Sequence, residues 1–219
     1  NYPGTAPCGA YGNRNFFAFF NEWFGTTYSN QQIDMLKATQ DIKAMASTYN
    51  SQLGSPTSEI MPDFNVNPRV WQTFTGGTII WTQERGVFPV FNGSINDRWR
   101  ALGGSAGILG TPQSLPITEA SDGRTWQEFK YGTVIASTET GAWEVLIGPI
   151  EDKWRKAGGS LGELGRPISG VIVEENGNRK QLFEKGTVIR KDSSSPAYYV
   201  AGVVDGEWKT NKTILGIPT

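Results

Sequence analysis

The chain has 219 residues, with 20 basic and 21 acidic side chains and a formal net charge of −1. It contains no histidine and a single cysteine, which excludes most zinc sites, histidine-dependent nucleophilic catalysis and an internal disulfide framework. The balanced charge offers no basic patch for nucleic acid, and no apolar run reaches the roughly 18 residues of a membrane helix.

Residues 1 to 40 form an atypical N-terminal segment, in which the stretch from Phe16 to Phe24 is dense in aromatic side chains. A helix is predicted from Gln31 to Asn50, with an apolar stripe of Ile33, Leu36, Ile42, Met45 and Tyr49. Because the chain begins at Asn1 rather than at a methionine, we expect a processed or truncated product.

A repeat of about 55 residues occupies the rest of the chain. The segment from Trp71 to Ile80 recurs at Trp126 to Ile135 and again at Lys180 to Ile189. Four copies of Leu-Gly-x-Pro begin at Leu53, Leu109, Leu164 and Leu215 in a compatible register. Independent landmarks in one register indicate a tandem repeat. The predicted units are 41–95, 96–150 and 151–204, with 205–219 as a partial fourth unit or cap.

Each unit is predicted to be a small β-sheet with one short helix. In the first copy, β-prone segments at 70–74, 78–82 and 87–91 predict strands joined by glycine turns. Ile95, Trp99 and Leu102 then form the apolar stripe of a helix that ends at Gly103-Gly104. The predicted fold is therefore mainly β with short helices, an α+β array preceded by a helical segment. Since one unit is too small to bury a good core, neighbours must share one.

Three repeated sets of residues are candidates for ligand binding. A basic side chain follows each helix tryptophan, where it could bind an acidic group or simply face solvent. A glutamine in each first strand could bind sugar hydroxyls or satisfy a turn. The helix tryptophans could stack on sugar rings, although packing into the core is the stronger interpretation. The sets are Arg100, Arg155 and Lys209; Gln72, Gln127 and Gln181; and Trp99, Trp154 and Trp208.

The sequence favours no catalytic, metal or cofactor site. Gly-x-Ser-x-Gly occurs around Ser105 and Ser160, but a nucleophile elbow needs a preceding strand and a histidine, whereas here a helix precedes the serine. A glycosidic bond could be hydrolysed by a pair of carboxylates drawn from Glu128, Asp152 and Glu163, yet none of them stands out by its sequence context. We therefore predict a chain that is not an enzyme and holds no metal or cofactor.

The repeats resemble the LGFP-repeat family, whose units carry a Trp-x-x-x-Gly-Gly-x-x-Gly-x-Leu-Gly-x-Pro signature. The second copy fits best, with Trp99 to Gly104, Gly107 to Pro112 and Gly141 to Ile150. The phenylalanine that names the family is replaced in the four copies by Ser55, Thr111, Arg166 and Ile217. Such repeats are appended to mycoloyltransferases and peptidoglycan hydrolases of actinobacteria that have mycolic-acid envelopes.

The resemblance implies a secreted, non-catalytic module of the cell envelope. Its expected partner is the peptidoglycan-arabinogalactan polysaccharide of the wall, bound through several weak and similar sites. The alternative is a rigid spacer or stability domain for an envelope enzyme whose catalytic domain lies elsewhere on the parent chain. Under both interpretations we expect no nucleic-acid partner and no transmembrane segment.

Overall fold

The computed structural model describes residues 29–64, 68–192, 195–202, 204–207 and 210. Within these ranges the chain forms three four-stranded antiparallel sheets, and in each sheet the strands lie side by side in sequence order. The aromatic stretch from Phe16 to Phe24 and the last Leu-Gly-x-Pro, at Leu215 to Pro218, lie outside the described residues. The mainly β fold with short helices agrees with the prediction from the sequence.

Each sheet is a four-strand meander that opens with a short strand. The first sheet contains β1 (Met61–Asp63), β2 (Arg69–Phe74), β3 (Gly77–Thr82) and β4 (Gly86–Phe91). The second contains β5 (Ile117–Thr118), β6 (Thr125–Phe129), β7 (Gly132–Ser137) and β8 (Gly141–Leu146). The third contains β9 (Ile172–Val173), β10 (Arg179–Phe183), β11 (Gly186–Arg190) and β12 (Tyr198–Ala201).

Helices lie between the sheets and before the first one. They are α1 (Asn30–Thr48), α2 (Asn50–Leu53), α3 (Ser94–Ala101) and α4 (Pro149–Lys156), and short 3₁₀ turns at Gly104–Ala106 and Gly159–Leu161 follow α3 and α4. The first helix begins at a capping box, in which the Ser29 hydroxyl accepts from the Gln32 backbone N–H and the Gln32 side chain accepts from the Ser29 N–H.

The third strand of each sheet divides its side chains between two cores. In β3, Ile79 packs in the core beneath α1, whereas Ile80 joins the core that contains Trp99 of α3. In β7, Val134 belongs to that same second core and Ile135 to the next one. Because successive strand residues point to opposite faces, one strand serves two neighbouring units. The expectation that neighbouring units share their hydrophobic cores is met.

The Leu-Gly-x-Pro sequence forms the turn that anchors each sheet. In the three described copies the leucine is fully buried. The backbone of the proline forms an isolated antiparallel β-bridge with the phenylalanine that ends the second strand of the sheet. The glycine has a φ of 67°, 72° or 73°, a left-handed conformation that strains residues with a Cβ. The copies are Leu53-Gly54-Ser55-Pro56, Leu109-Gly110-Thr111-Pro112 and Leu164-Gly165-Arg166-Pro167.

The predicted apolar stripe of α1 was wrong at Leu36, whose side chain is 47% exposed. Ala38, which was not assigned to the stripe, is fully buried instead, and Ile42 is buried one turn later. Met45 and Tyr49 pack at the edge of the same core, as predicted. The buried face follows i, i+4 spacing through Ala38, and a small side chain there lets the helix approach the sheet closely.

An ion-pair cluster connects the second and third units. The Arg166 guanidinium lies 2.8 Å from a Glu184 carboxylate oxygen and 3.0 Å from one of Glu139. The hydrogen bond from Arg166 lowers the pKa of Glu184. The hydrogen bond that the Thr138 hydroxyl donates, together with smaller contributions, lowers the pKa of Glu139 to about 2.

Candidate functional site

Two equivalent clefts carry polar and aromatic side chains together. The first cleft has a volume of about 460 Å³ and is lined by ten residues, among them Trp71, Thr78, Arg100 and Ser105. The second cleft has a volume of about 410 Å³. Every lining position of the first cleft recurs 55 residues later in the lining of the second. The repeat therefore duplicates a surface cleft as well as a fold.

Each cleft lies between one face of a sheet and the end of the helix that follows that sheet. Strands β2 and β3 supply Trp71, Thr73 and Thr78 to the first cleft, and the end of α3 supplies Arg100. The opposite wall is the glycine turn, where Gly103 and its successor have φ values of 95° and 61°. Two consecutive left-handed residues reverse the chain sharply, which places Ser105 and the backbone of the turn at the rim.

A third glycine makes this turn possible. A Cβ on Gly107 would collide with the backbone carbonyl oxygen of Leu102, and one on Gly162 would collide with that of Ala157. The Gly-Gly-x-x-Gly pattern is therefore required by the turn that forms the cleft wall. The sequence identifies the pattern as a helix stop but not as the wall of a cleft.

The predicted basic residues Arg100 and Arg155 occupy equivalent positions in the two clefts. Arg100 donates from Nε to the Asn96 side-chain oxygen at 3.1 Å and from Nη2 to the Thr78 hydroxyl at 3.0 Å. Arg155 donates from Nε to a Glu151 carboxylate oxygen at 2.7 Å. Both arginines are exposed, so their remaining N–H groups are open to a ligand. Lys209 lies outside the described residues.

The helix tryptophans belong to the core rather than to a stacking platform. Trp99 is 4% exposed and Trp154 is 5% exposed. Their indole N–H groups donate to the carbonyl oxygens of Gly110 and Gly165, each at 2.9 Å. Each ring stacks on a strand phenylalanine with centroids 6.1 Å apart, so only the ring edge reaches the cleft floor. The proposal that these two stack on sugar rings is therefore dropped. Trp208 lies outside the described residues.

The repeated glutamines link backbone segments and do not line either cleft. Gln127 Nε2 donates to the carbonyl oxygens of Pro89 at 2.8 Å and Ser114 at 2.9 Å. Gln181 repeats this arrangement with Glu144 at 2.6 Å and Ser169 at 2.8 Å, and Gln72 donates to Ser58 at 2.9 Å. Because both amide N–H groups of the second and third glutamines are used, they cannot also donate to sugar hydroxyls. Of the two roles considered from the sequence, satisfying the backbone of a neighbouring turn agrees with these hydrogen bonds, whereas donation to sugar hydroxyls does not.

Sequence reasoning missed the tryptophans that do face the clefts. Trp71 and Trp126 are half-buried, line equivalent positions and stand one residue before a repeated glutamine. Their recurrence at a spacing of 55 was visible in the sequence. What was not visible is which face of β2 and β6 the following helix leaves open. The third copy has Lys180 at this position.

The candidate hydrolytic residues lie in different surroundings. Ser105 and Ser160 line the clefts from a 3₁₀ turn that follows a helix, unlike a nucleophile elbow. Glu128 lines the second cleft, and Glu163 accepts a 2.7 Å hydrogen bond from Tyr199, whose pKa it raises. Asp152 is exposed on α4 and lines neither cleft.

The described part of the chain contains neither a cluster of metal ligands nor a membrane-spanning helix. No group of three or more acidic or cysteine side chains is placed to hold a metal ion there. No helix among the described residues is long and apolar enough to cross a membrane.

Comparison with known proteins identifies the repeat. The family model described as "LGFP repeat" matches residues 53–107 and again residues 109–162. Each match begins at or near a Leu-Gly-x-Pro turn and ends at the glycine turn that forms a cleft wall. Comparison with curated proteins gave no match. The matched segments, together with the repeated turn, sheet and helix, place the chain in the LGFP-repeat family.

Proposed function

We propose that this protein is a secreted, non-catalytic module of the cell envelope that binds wall polysaccharide through its repeated clefts. The single observation that carries the proposal is the recurrence of all ten lining positions of the first cleft in the second. Packing alone would account for repeated core residues. It would not account for the exposed or half-buried members of the lining, such as Trp71, Arg100 and Ser105, which recur around an open space.

The lining suits a sugar ring. A half-buried indole presents apolar area to the C–H face of a sugar, and Trp71 and Trp126 lie at one wall. The arginine at the other wall has N–H donors for hydroxyl or acidic groups, and the threonine and serine hydroxyls can donate or accept. Volumes of about 460 and 410 Å³ fall in the range of small-ligand sites.

Repetition supplies the affinity that one shallow cleft lacks. A polysaccharide repeats its units many times along its length, so the second cleft engages at a high effective concentration once the first is occupied. Two weak sites on one chain therefore bind a polymer much more tightly than either binds a single sugar. Peptidoglycan-arabinogalactan is the polymer that membership of this family suggests.

Co-sedimentation with purified insoluble cell wall tests the proposal. The protein should pellet with the wall at low salt, and Arg100→Ala combined with Arg155→Ala should move it toward the supernatant while the protein stays folded. Lys156→Ala is the matched control, because Lys156 is an exposed cation next to Arg155 that lines neither cleft. A wild-type protein that stays wholly in the supernatant would refute wall binding.

A rigid spacer or stability domain remains the second candidate, and the shared cores favour it. Ile79 and Ile80 tie the first sheet to two different cores, so neighbouring units are mechanically coupled. A spacer predicts cooperative unfolding of the units and no pelleting with the wall. The same co-sedimentation therefore separates the two functions.

A further inference from the structure

The two clefts share their geometry but differ in charge. Among the residues that the structure describes, Arg100 is the one charged side chain that lines the first cleft. The second cleft is lined by two basic residues, Arg124 and Arg155, and by two acidic residues, Glu119 and Glu128. A duplicated site with a changed charge pattern suggests two different ligand preferences.

The first difference concerns the partner of the cleft arginine. Asn96 and Glu151 occupy the same helical position, four residues before the arginine, and each accepts a hydrogen bond from its Nε. Asn96 is neutral, whereas Glu151 forms an ion pair at 2.7 Å. Among the described residues no carboxylate pairs with Arg100, so its positive charge is uncompensated, whereas that of Arg155 is neutralised.

The second difference lies on the opposite wall. Thr73 of β2 and Glu128 of β6 are equivalent, and both line their clefts. A carboxylate at this position repels an anionic ligand, whereas a threonine hydroxyl can donate a hydrogen bond to one. The difference on the helix and the difference on the strand therefore both favour an anionic ligand in the first cleft over the second.

We propose that the first cleft binds the acidic group of a sugar, a carboxylate or a phosphate, while the second cleft binds an uncharged sugar. The sugar ring lies against Trp71, and the acidic group accepts hydrogen bonds from Arg100 and from the Thr73 hydroxyl. Charge-assisted hydrogen bonds to a guanidinium are stronger than neutral ones, so the acid is preferred there. This inference rests on the proposed role of the clefts as sugar sites.

Titration followed by two-dimensional ¹H–¹⁵N NMR tests the preference at each cleft separately. The indole N–H signals of Trp71 and Trp126 report on the first and second clefts, and Trp71→Phe and Trp126→Phe variants assign them. The probes are glucuronate, glucose 6-phosphate and methyl glucoside, which share one ring and differ in charge. At least one of the acidic probes should shift the Trp71 signal at about tenfold lower concentration than methyl glucoside. The stronger of the two acids identifies a carboxylate or a phosphate ligand.

The Trp126 signal should respond to methyl glucoside at least as readily as to either acid. Added salt should weaken the acid response at Trp71 more than the neutral one, because an exposed ion pair is screened. Equal responses to acidic and neutral probes at Trp71, or the same acid preference at Trp126, would overturn the inference.

Asn96→Glu transfers the second cleft's ion pair to the first. It should raise the dissociation constant of the acidic probe at Trp71 about tenfold and leave the Trp126 response unchanged. The fold accommodates a glutamate here, since Glu151 is buried at the equivalent position. If Asn96→Glu nevertheless lowers the melting temperature, Arg100→Gln is the alternative variant. It removes the Arg100 charge itself from an exposed side chain and should weaken acid binding to the same extent.

The reciprocal variant, Glu128→Thr with Glu151→Asn, should create acid preference at Trp126.

Failure of Asn96→Glu and Arg100→Gln to weaken acid binding would refute the role of Arg100. If the protein pellets with the wall but neither cleft prefers an acid, the proposed function stands and this inference falls. If the first cleft prefers an acid but the protein does not pellet, wall binding falls and the anion site stands.

Discussion

At the scale of single residues, tryptophan has two roles that its position in the repeat separates. Trp99 lies in the last turn of α3 and is buried, with its indole N–H donating to the carbonyl oxygen of Gly110, whereas Trp71 lies on a strand and faces a cleft. Both are part of the same repeat, so their spacing alone does not distinguish them. Their environments distinguish them, because a buried indole needs a protein acceptor for its N–H, whereas the N–H of a half-buried indole can donate to water.

Trp99→Phe should lower the free energy of unfolding by about 1–3 kcal/mol, because the Gly110 carbonyl loses its buried donor. Trp71→Phe should cost less stability but weaken wall binding, since a phenyl ring offers a smaller stacking face. Denaturant unfolding and co-sedimentation of the two variants measure the two effects. A Trp99→Phe variant of unchanged stability would contradict the core assignment.

The sequence alone predicted the residues that the backbone requires better than the residues that a ligand would meet. The Leu-Gly-x-Pro glycines and the Gly-Gly turn were recognised because positive φ restricts residue type, and the structure has them at 61° to 95°. Leu36 was misassigned because an apolar stripe does not show where a small residue such as Ala38 brings the helix closest. Trp71 was missed because neither strand face was known to be open.

At the scale of elements, the turn after each helix determines whether a cleft exists. Gly107→Ala places a methyl group against the Leu102 carbonyl, so α3 and its turn must separate. We expect a loss of about 1–3 kcal/mol in the free energy of unfolding and weaker ligand responses at Trp71. Gly206→Ala is the matched control, because no neighbouring atom of the described residues lies within 4 Å of the added methyl group and φ is not positive. Equal effects of the two variants would contradict this role.

At the scale of the whole molecule, contacts between units transmit stability along the chain. Arg166 connects Glu139 of the second unit with Glu184 of the third. Both carboxyl groups have lowered pKa values in the folded protein. Their stabilisation is therefore complete above the unfolded pKa of about 4.5 and is lost as the pH falls through the folded values.

The melting temperature should accordingly fall between pH 4.5 and about 2, the folded pKa of Glu139. Arg166→Met should flatten this dependence, because the hydrogen bond from Arg166 is the main cause of the lowered Glu184 pKa. Lys185→Met is the control, since Lys185 contributes least among the causes for that carboxyl group. A pH profile that Arg166→Met leaves unchanged would contradict a stabilising role for the Arg166 cluster.

The duplicated cleft makes a prediction that concerns both units together. If the clefts bind one polymer jointly, loss of either should weaken binding strongly, and loss of both should abolish it. Trp71→Leu and Trp126→Leu remove the stacking faces while retaining apolar side chains at the core edge. Trp143→Leu is the matched control, since Trp143 is also half-buried but lines neither cleft.

The most direct test is therefore the fraction of protein that co-sediments with purified cell wall, measured for the wild type, the two single variants, the double variant and the control. We predict that each single variant binds less, that the double variant stays in the supernatant, and that Trp143→Leu pellets like the wild type. Wild-type pelleting by a folded double variant would contradict binding through the repeated clefts.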